Sequence, residues 1–272
     1  MFRSLGVGLA LFASSVGAQT LDFMSATSID GTAKTLGGLS AIETDDGVHA
    51  LAVSDRGFFF DLHLMRDAAG EIVEVQASPA NIAPTQQDTE GLAMAPSETY
   101  LSFEGPARIR TLDGMSLRRH PDFRKMPSNR ALEALAIDAD GRLYTLQERT
   151  GTNDAPFPLY VFDQGQWTKS TVIPKRGPFV PVGADFGPDG FLYLLERHFT
   201  PIGFRSQIRR FDLAQPDLGE KLLLTTFALQ HDNLEGITVW TDPNGHIRLT
   251  LVSDDNFQPL QRNQVVEYRL ME

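Results

Sequence analysis

Residues 183–196 read GADFGPDGFLYLLE, and the fold follows from how often this pattern returns. A small residue opens a short apolar stretch, Asp189-Gly190 supplies a turn, a second apolar stretch follows, and an acid closes the unit. Asp-Gly tolerates the positive φ that a tight hairpin turn demands. Runs rich in Leu, Tyr and Phe suit strands. The same unit stands at 38–55 (GLSAIETDDGVHALAVSD), 91–104 (GLAMAPSETYLSFE), 134–148 (ALAIDADGRLYTLQE) and 236–254 (GITVWTDPNGHIRLTLVSD). Asp46-Gly47, Asp140-Gly141 and Asn244-Gly245 mark three more turns, and Pro96-Ser97-Glu98 takes their place in the second unit.

The units recur roughly every 40–50 residues, the length of one four-stranded propeller blade. Further strand candidates follow at 107–112, 159–162, 207–211 and 265–270. Residues 20–26 form another, placed to complete the last blade and join the two ends of the chain. No long stretch of period 3.6 supplies the crossover helices that a parallel α/β sheet requires. The pattern therefore predicts an all-β fold, a single β-propeller of about five blades. A sixth arises if residues 61–75 hide a degenerate unit, and a two-sheet sandwich is the alternative architecture.

The chain has 272 residues, no cysteine and a formal net charge of −11. Residues 1–18 have the layout of a secretory leader: Arg3, an apolar run, then Val16-Gly17-Ala18 before Gln19. The expectation is a periplasmic or secreted protein whose single domain occupies 19–272, with no membrane insertion once the leader is cleaved. The acidic balance argues against nucleic acid as a partner. The absence of cysteine excludes a thiol nucleophile and cysteine-ligated metals.

The first two strands of a blade are antiparallel, so the start of one and the end of the next share a rim. Glu90, Glu133 and Glu235 precede first strands; Asp55, Glu104, Glu148, Glu196 and Asp254 end second strands. Asp55-Arg56, Glu148-Arg149 and Glu196-Arg197 repeat an acid–arginine pair, and Ser253-Asp254-Asp255-Asn256 is rich in oxygen ligands. Carboxylates crowded together repel one another, and a divalent cation relieves this. An all-oxygen set suits Ca²⁺ or Mg²⁺. The structural alternative is that these groups form salt bridges between blades.

Gly38-Leu39-Ser40, Ser54-Asp55-Arg56-Gly57, Glu90-Gly91-Leu92, Glu133-Ala134-Leu135, Asn233-Leu234-Glu235-Gly236-Ile237 and Ser253-Asp254-Asp255-Asn256-Phe257 together resemble the phytase-like family, described by an esterase-like activity of phytase. The resemblance implies an exported bacterial propeller that hydrolyses a phosphoester or ester, with carboxylate-held calcium as in the alkaline propeller phytases. The chain departs from this pattern in two respects. Val182 stands where other blades carry an acid, and few lysines are expected on the rim.

The expectation is a metal-dependent hydrolase of a small-molecule, anionic substrate. Ca²⁺ or another divalent cation would be held by Glu90, Glu133, Glu235 and Asp254. Asp55 or Asp255 would act as general base, and Arg56, Arg149, Arg197 and Asn256 would bind substrate. A non-catalytic propeller that binds a cation or small ligand is the alternative.

Overall fold

Five antiparallel sheets stand around one axis. The computed structural model describes residues 20–150 and 154–271, and the leader-like stretch 1–18 lies outside them. An N-terminal strand, β1 (Leu21–Gly31), precedes the first blade. Blade one is β2 (Leu39–Glu43), β3 (His49–Ser54), β4 (Phe59–Arg66) and β5 (Ile72–Pro79); blade two is β6 (Thr89–Ala95), β7 (Glu98–Phe103) and β8 (Arg108–Thr111). Blade three is β9 (Leu132–Ile137), β10 (Leu143–Gln147), β11 (Phe157–Asp163) and β12 (Gln166–Ile173). Blade four is β13 (Val180–Phe186), β14 (Leu192–Thr200), β15 (Gly203–Phe211) and β16 (Lys221–Thr225). Blade five is β17 (Asn233–Thr241), β18 (Ile247–Asp254) and β19 (Gln264–Leu270), completed by β1.

Residues 61–75, where a sixth blade was considered, fall in the outer strands of blade one. Strand β1 pairs antiparallel with β19 from Leu21↔Leu270 to Ser28↔Gln264, then runs parallel to β5 from Ile29↔Val75 to Gly31↔Ala77. The N-terminal strand thus joins blade five to blade one.

The core lies between blades rather than within them. Leu192 and Leu194 of β14 pack with Ala134, Leu146 and Phe157 of blade three, while Tyr193 and Leu195 pack with Ile237, Leu249 and Tyr268 of blade five. Both faces of β14 are covered, which is why Leu192-Tyr193-Leu194-Leu195 reads as a continuous apolar run instead of alternating. The turns match their sequences: Gly47, Gly141, Gly190 and Gly245 have φ of 66°, 81°, 77° and 86°.

Every inner strand carries the same irregularity near its start. The pairing skips Ser40 in β2, Glu90 and Gly91 in β6, Glu133 in β9, Val182 in β13 and Glu235 in β17. A bulge of this kind bends the strand and re-aims the extra side chain. The residue after it is small because the inner strands meet there. A Cβ on Gly183 would lie 2.5 Å from the Glu235 carbonyl oxygen, and one on Gly236 would lie 2.8 Å from the Ala41 Cα. Below the bulges, Ile42, Leu92, Leu135, Ala184 and Ile237 leave a cavity of only about 10 Å³. That space is at the lower limit for a single water, so the axis is plugged.

Gly183 does not have a positive φ, so an alanine there meets a steric obstacle alone. Overpacking of this kind costs about 1–3 kcal/mol. G183A is expected to lower the melting temperature by roughly 2–12 °C in a thermal scan, at about 2–4 °C per kcal/mol for a domain of this size.

Candidate active site

The bulges bring Ser40, Glu90, Glu133, Val182 and Glu235 to one mouth of the axis. Val182 interrupts the acids in blade four, as its sequence indicates, and Ser40 interrupts them in blade one, where the sequence reading had expected an acid. The loops that end the second strands add Asp55, Glu104, Glu148 and Asp254. This acidic ring divides into two sectors.

In one sector an arginine sits among the acids. Arg197 donates from Nη1 to Asn233 Oδ1 at 2.9 Å and to Glu235 Oε1, and its Nη2 lies 3.5 Å from Glu148 Oε1. Asn233, fully buried, donates to Glu235 Oε1 (2.8 Å) and Asp254 Oδ2 (3.2 Å). Burial works against the charge of Arg197, but Glu235, Glu133, Glu148 and Asp254 together outweigh it and raise its pKa. Burial, with repulsion from Glu148 and Glu235, still holds Glu133 well above the usual carboxylate range, and burial with Glu235 pushes Asp254 to about 7. Three of the four expected metal ligands, Glu133, Glu235 and Asp254, therefore surround a guanidinium.

In the other sector no cation intervenes among the described residues. Oxygens of Asp88, Glu90 and Glu104 lie within 4.8 Å of one another. Burial raises Glu90 well above its ordinary value, with Glu133, Glu235, Asp88 and Glu104 adding repulsion. Burial and the neighbouring Asp88, which also shares a hydrogen bond with it, push Glu104 to about 7. Of the expected ligands Glu90 belongs to this cluster, while Asp88 and Glu104 join it. Asp88 lies two residues before the bulge, in the same DTEG stretch of sequence. Half-buried Asp55 lies nearby; burial raises its pKa, Arg56 opposes the rise, and Asp88 and Glu235 reinforce it. Its Oδ1 is buried without a hydrogen-bond partner, next to Gly38.

The other expected residues take different places. Asp255 is occupied in holding its loop: Oδ1 accepts from the Gly38 and Phe257 amides at 3.0 and 3.1 Å, and Oδ2 accepts from Asn263 at 2.9 Å. That leaves Asp55 as the better placed of the two expected bases. Arg56 lies over the Phe257 ring, 3.4 Å from its centroid. Asn256 and Phe257, adjacent residues with φ of 45° and 51°, carry this loop across the mouth. Such conformations are uncommon for non-glycine residues and cluster at functional sites.

Glu196 departs from the expected rim. Along β14 it shares a face with Leu194, whereas Arg197 shares one with Leu195. Glu196 is therefore fully buried against Arg209, with two bonds of 2.6 Å, and accepts from Gln207 at 2.9 Å. It is a structural ion pair within blade four.

Beside the arginine-filled sector opens a cavity of about 750 Å³. Arg130, Arg149, Lys175 and Arg197 line it together with Glu148, Asp154 and His198, and Asn256 reaches it from blade five. Lys175 and Arg130 make the rim more cationic than expected. Both lie outside the repeated unit, in connections between blades, so the repeat gave no signal for them. The volume is that of a small-molecule site. A second acidic mouth, also absent from the sequence reading, faces a cavity of about 960 Å³ at the opposite end of the axis. There burial raises Glu43 well above its usual range and Asp185 to about 7.

The family model described as phytase-like, esterase-like activity of phytase, matches residues 34–257. No curated protein matches the sequence. Among solved structures, the catalytic domain of the Coprinopsis cinerea GH62 α-L-arabinofuranosidase is similar with a TM-score of 0.54 and 11% identity, covering 93% of this chain and 98% of that one. The PQQ-bound aldose sugar dehydrogenase of Streptomyces coelicolor (TM-score 0.47, 12% identity, 91% and 98% covered) and the calcium-binding protein regucalcin of Agrobacterium tumefaciens (TM-score 0.47, 10% identity, 89% and 96% covered) are more distant. At such identities the likeness is one of fold.

The raised carboxyls make stability depend on pH. Unfolded, Glu and Asp ionise near 4. Folded, Glu104 and Asp254 ionise at about 7, and Glu90 and Glu133 are also raised. The folded state binds more protons in between, so these groups stabilise at low pH and that contribution is lost as pH rises through 7. Chelator-treated protein is expected to melt several degrees lower at pH 8 than at pH 5. R197M is expected to widen the gap, since removing one partner of a buried pair costs about 3–5 kcal/mol while the others are ionised. Melting curves of both proteins at the two pH values check this.

Proposed function

Since the chain belongs to the phytase-like family, we propose that it is an exported, divalent-cation-dependent hydrolase of an anionic phosphoester or ester. The observation that carries this reading is the division of the mouth: among the described residues one sector is an all-oxygen cluster without a cation, and the other holds Arg197 next to a cavity walled by arginine and lysine. Export rests on the leader-like residues 1–18.

Asp88, Glu90 and Glu104 fit a hard cation by donor type and by spacing, and their mutual repulsion gives the folded protein a reason to bind one. Ca²⁺ suits this flexible oxygen set. A cation held there by Asp88, Glu90 and Glu104 would supply Lewis acidity and would lower the pKa of a coordinated water. Arg149 and Lys175 bind and orient the anionic group from the cavity wall. Arg197, fixed by Asn233, Glu235 and Glu148, keeps the second sector of acids neutralised so that it does not repel the substrate. Asp55 accepts the proton of the attacking water at its carboxylate; its raised pKa brings it nearer to neutrality, which favours a general base. The Asn256–Phe257 bend, pinned by Asp255, helps close the mouth.

A panel of 4-nitrophenyl phosphate, 4-nitrophenyl acetate and a lactone tests the reading. The expected result is turnover of at least one substrate, lost on chelation and restored by Ca²⁺. E90Q and E104Q are each expected to lower kcat/KM at least about a hundredfold, which corresponds to about 2.7 kcal/mol. Turnover that persists after exhaustive chelation would refute the role of the cation. Saturating Ca²⁺ is also expected to raise the melting temperature by about 5–10 °C at pH 8, since a ligand at one hundred times its Kd stabilises by about 2.7 kcal/mol. The same variants should abolish the rise, and sodium chloride at equal ionic strength should not reproduce it.

A further inference from the structure

The lip of the 750 Å³ cavity carries an apolar feature that the hydrolase reading leaves unused. Strands β14 and β15 form the longest hairpin of blade four, paired to its tip at Thr200↔Gly203. It ends in an apolar knuckle. Phe199 pairs opposite Phe204 with ring centroids 5.1 Å apart, and both rings line the cavity. Leu229, from the loop after β16, seats on the hairpin turn: a Cβ on Gly203 would lie 2.5 Å from its Cδ2, and its amide bonds to the Phe204 carbonyl at 3.3 Å. Yet Phe199, Ile202 and Leu229 remain 68%, 69% and 71% exposed. Side chains so exposed add little to the fold. Single exposed apolar residues are ordinary, but a contiguous group on the rim of a polar cavity marks a binding surface.

The floor of the same cavity limits the charge of what enters. Among the described residues four cations, Arg130, Arg149, Lys175 and Arg197, face two carboxylates, Glu148 and Asp154. Arg197 is already committed to the acidic ring, and Arg149 lies 3.4 Å from Glu148. That balance suits a head group with one or two negative charges. A polyanion with many phosphates would meet too few free cations and an apolar lip.

We infer that the substrate is an amphiphile: a mono- or dianionic head seated on Arg149 and Lys175, with an aliphatic or aromatic tail lying across Phe199, Phe204, Ile202 and Leu229. This rests on the hydrolase reading for its chemistry, but not for its binding.

Calorimetric titration of the purified protein in Ca²⁺ buffer with inorganic phosphate, butyl phosphate and octyl phosphate, kept below micelle formation, tests it, with phosphate release followed in parallel. Octyl phosphate is expected to bind at least about tenfold more tightly than butyl phosphate, four methylenes being partly buried. The double variant F199S/I202S should flatten that ratio, and V73S, at an exposed position of β5 in blade one, should keep it. Equal affinity for the two esters, or a ratio that survives in F199S/I202S, would overturn the proposal. So would loss of binding to anionic phosphatidylglycerol vesicles in F199S/I202S with the ratio unchanged, which would assign the knuckle to a membrane surface. Chain-length-dependent binding without phosphate release supports the amphiphile site and counts against phosphoester hydrolysis. Phosphate release without chain-length dependence does the reverse.

Discussion

The close approach of five inner strands at their bulges is the constraint on which the rest depends. Backbones meet there, with the Gly183 Cα facing the Glu235 carbonyl and Gly236 facing Ala41. An alanine or a glycine stands at each contact, and the residue just before it is pushed out of the ladder toward the mouth. A single geometric device thus packs the axis, plugs it, and concentrates carboxylates at one end. The acids are buried beside one another because the strands must converge, and their raised pKa values follow from that convergence.

Arg197 decides what the convergence can do. Acids so crowded around one mouth without a cation would be costly to ionise. The Arg197 guanidinium, supplied by β14, compensates one side of the ring through Glu235, Glu148 and Asn233, with Arg149 also against Glu148. The opposite side, Asp88, Glu90 and Glu104, is left with its repulsion. The asymmetry separates a sector suited to a metal from one suited to an anion. A ring of equal acids would have no such preference.

Much of the fold was legible because the hairpin unit is local: a small residue, two apolar runs and an Asp-Gly or Asn-Gly turn stand within twenty residues of one another. The closing strand was legible too, since residues 20–26 had no other partner in the repeat. The site was legible only as a rim. The sequence reading gave Glu235 and Asp254 to a cation and Arg197 to the substrate, with salt bridges between blades as the alternative; the contact between blades four and five that brings the three together is encoded by no local pattern. Glu196 and Arg197 look equivalent in sequence, but strand alternation sends one into a buried pair with Arg209 and the other to the mouth. Lys175, Arg130 and the Phe199 knuckle lie in connections and extensions specific to single blades, where a repeat carries no information.

The latch formed by β1 has a temporal consequence. Leu21 meets Leu270, so the ring's closing contact joins residues at nearly the full separation the chain allows. Contacts of such long range are slow to form, because loop-closure entropy is lost before they are gained. Blades can pair their own strands as they are made, but the first and last remain unlatched until the final strand arrives. The same ladder then works in reverse. Opening the ring requires β1 to leave both β19 and β5, two edges at once, so the closed propeller is held by a barrier as well as by an equilibrium.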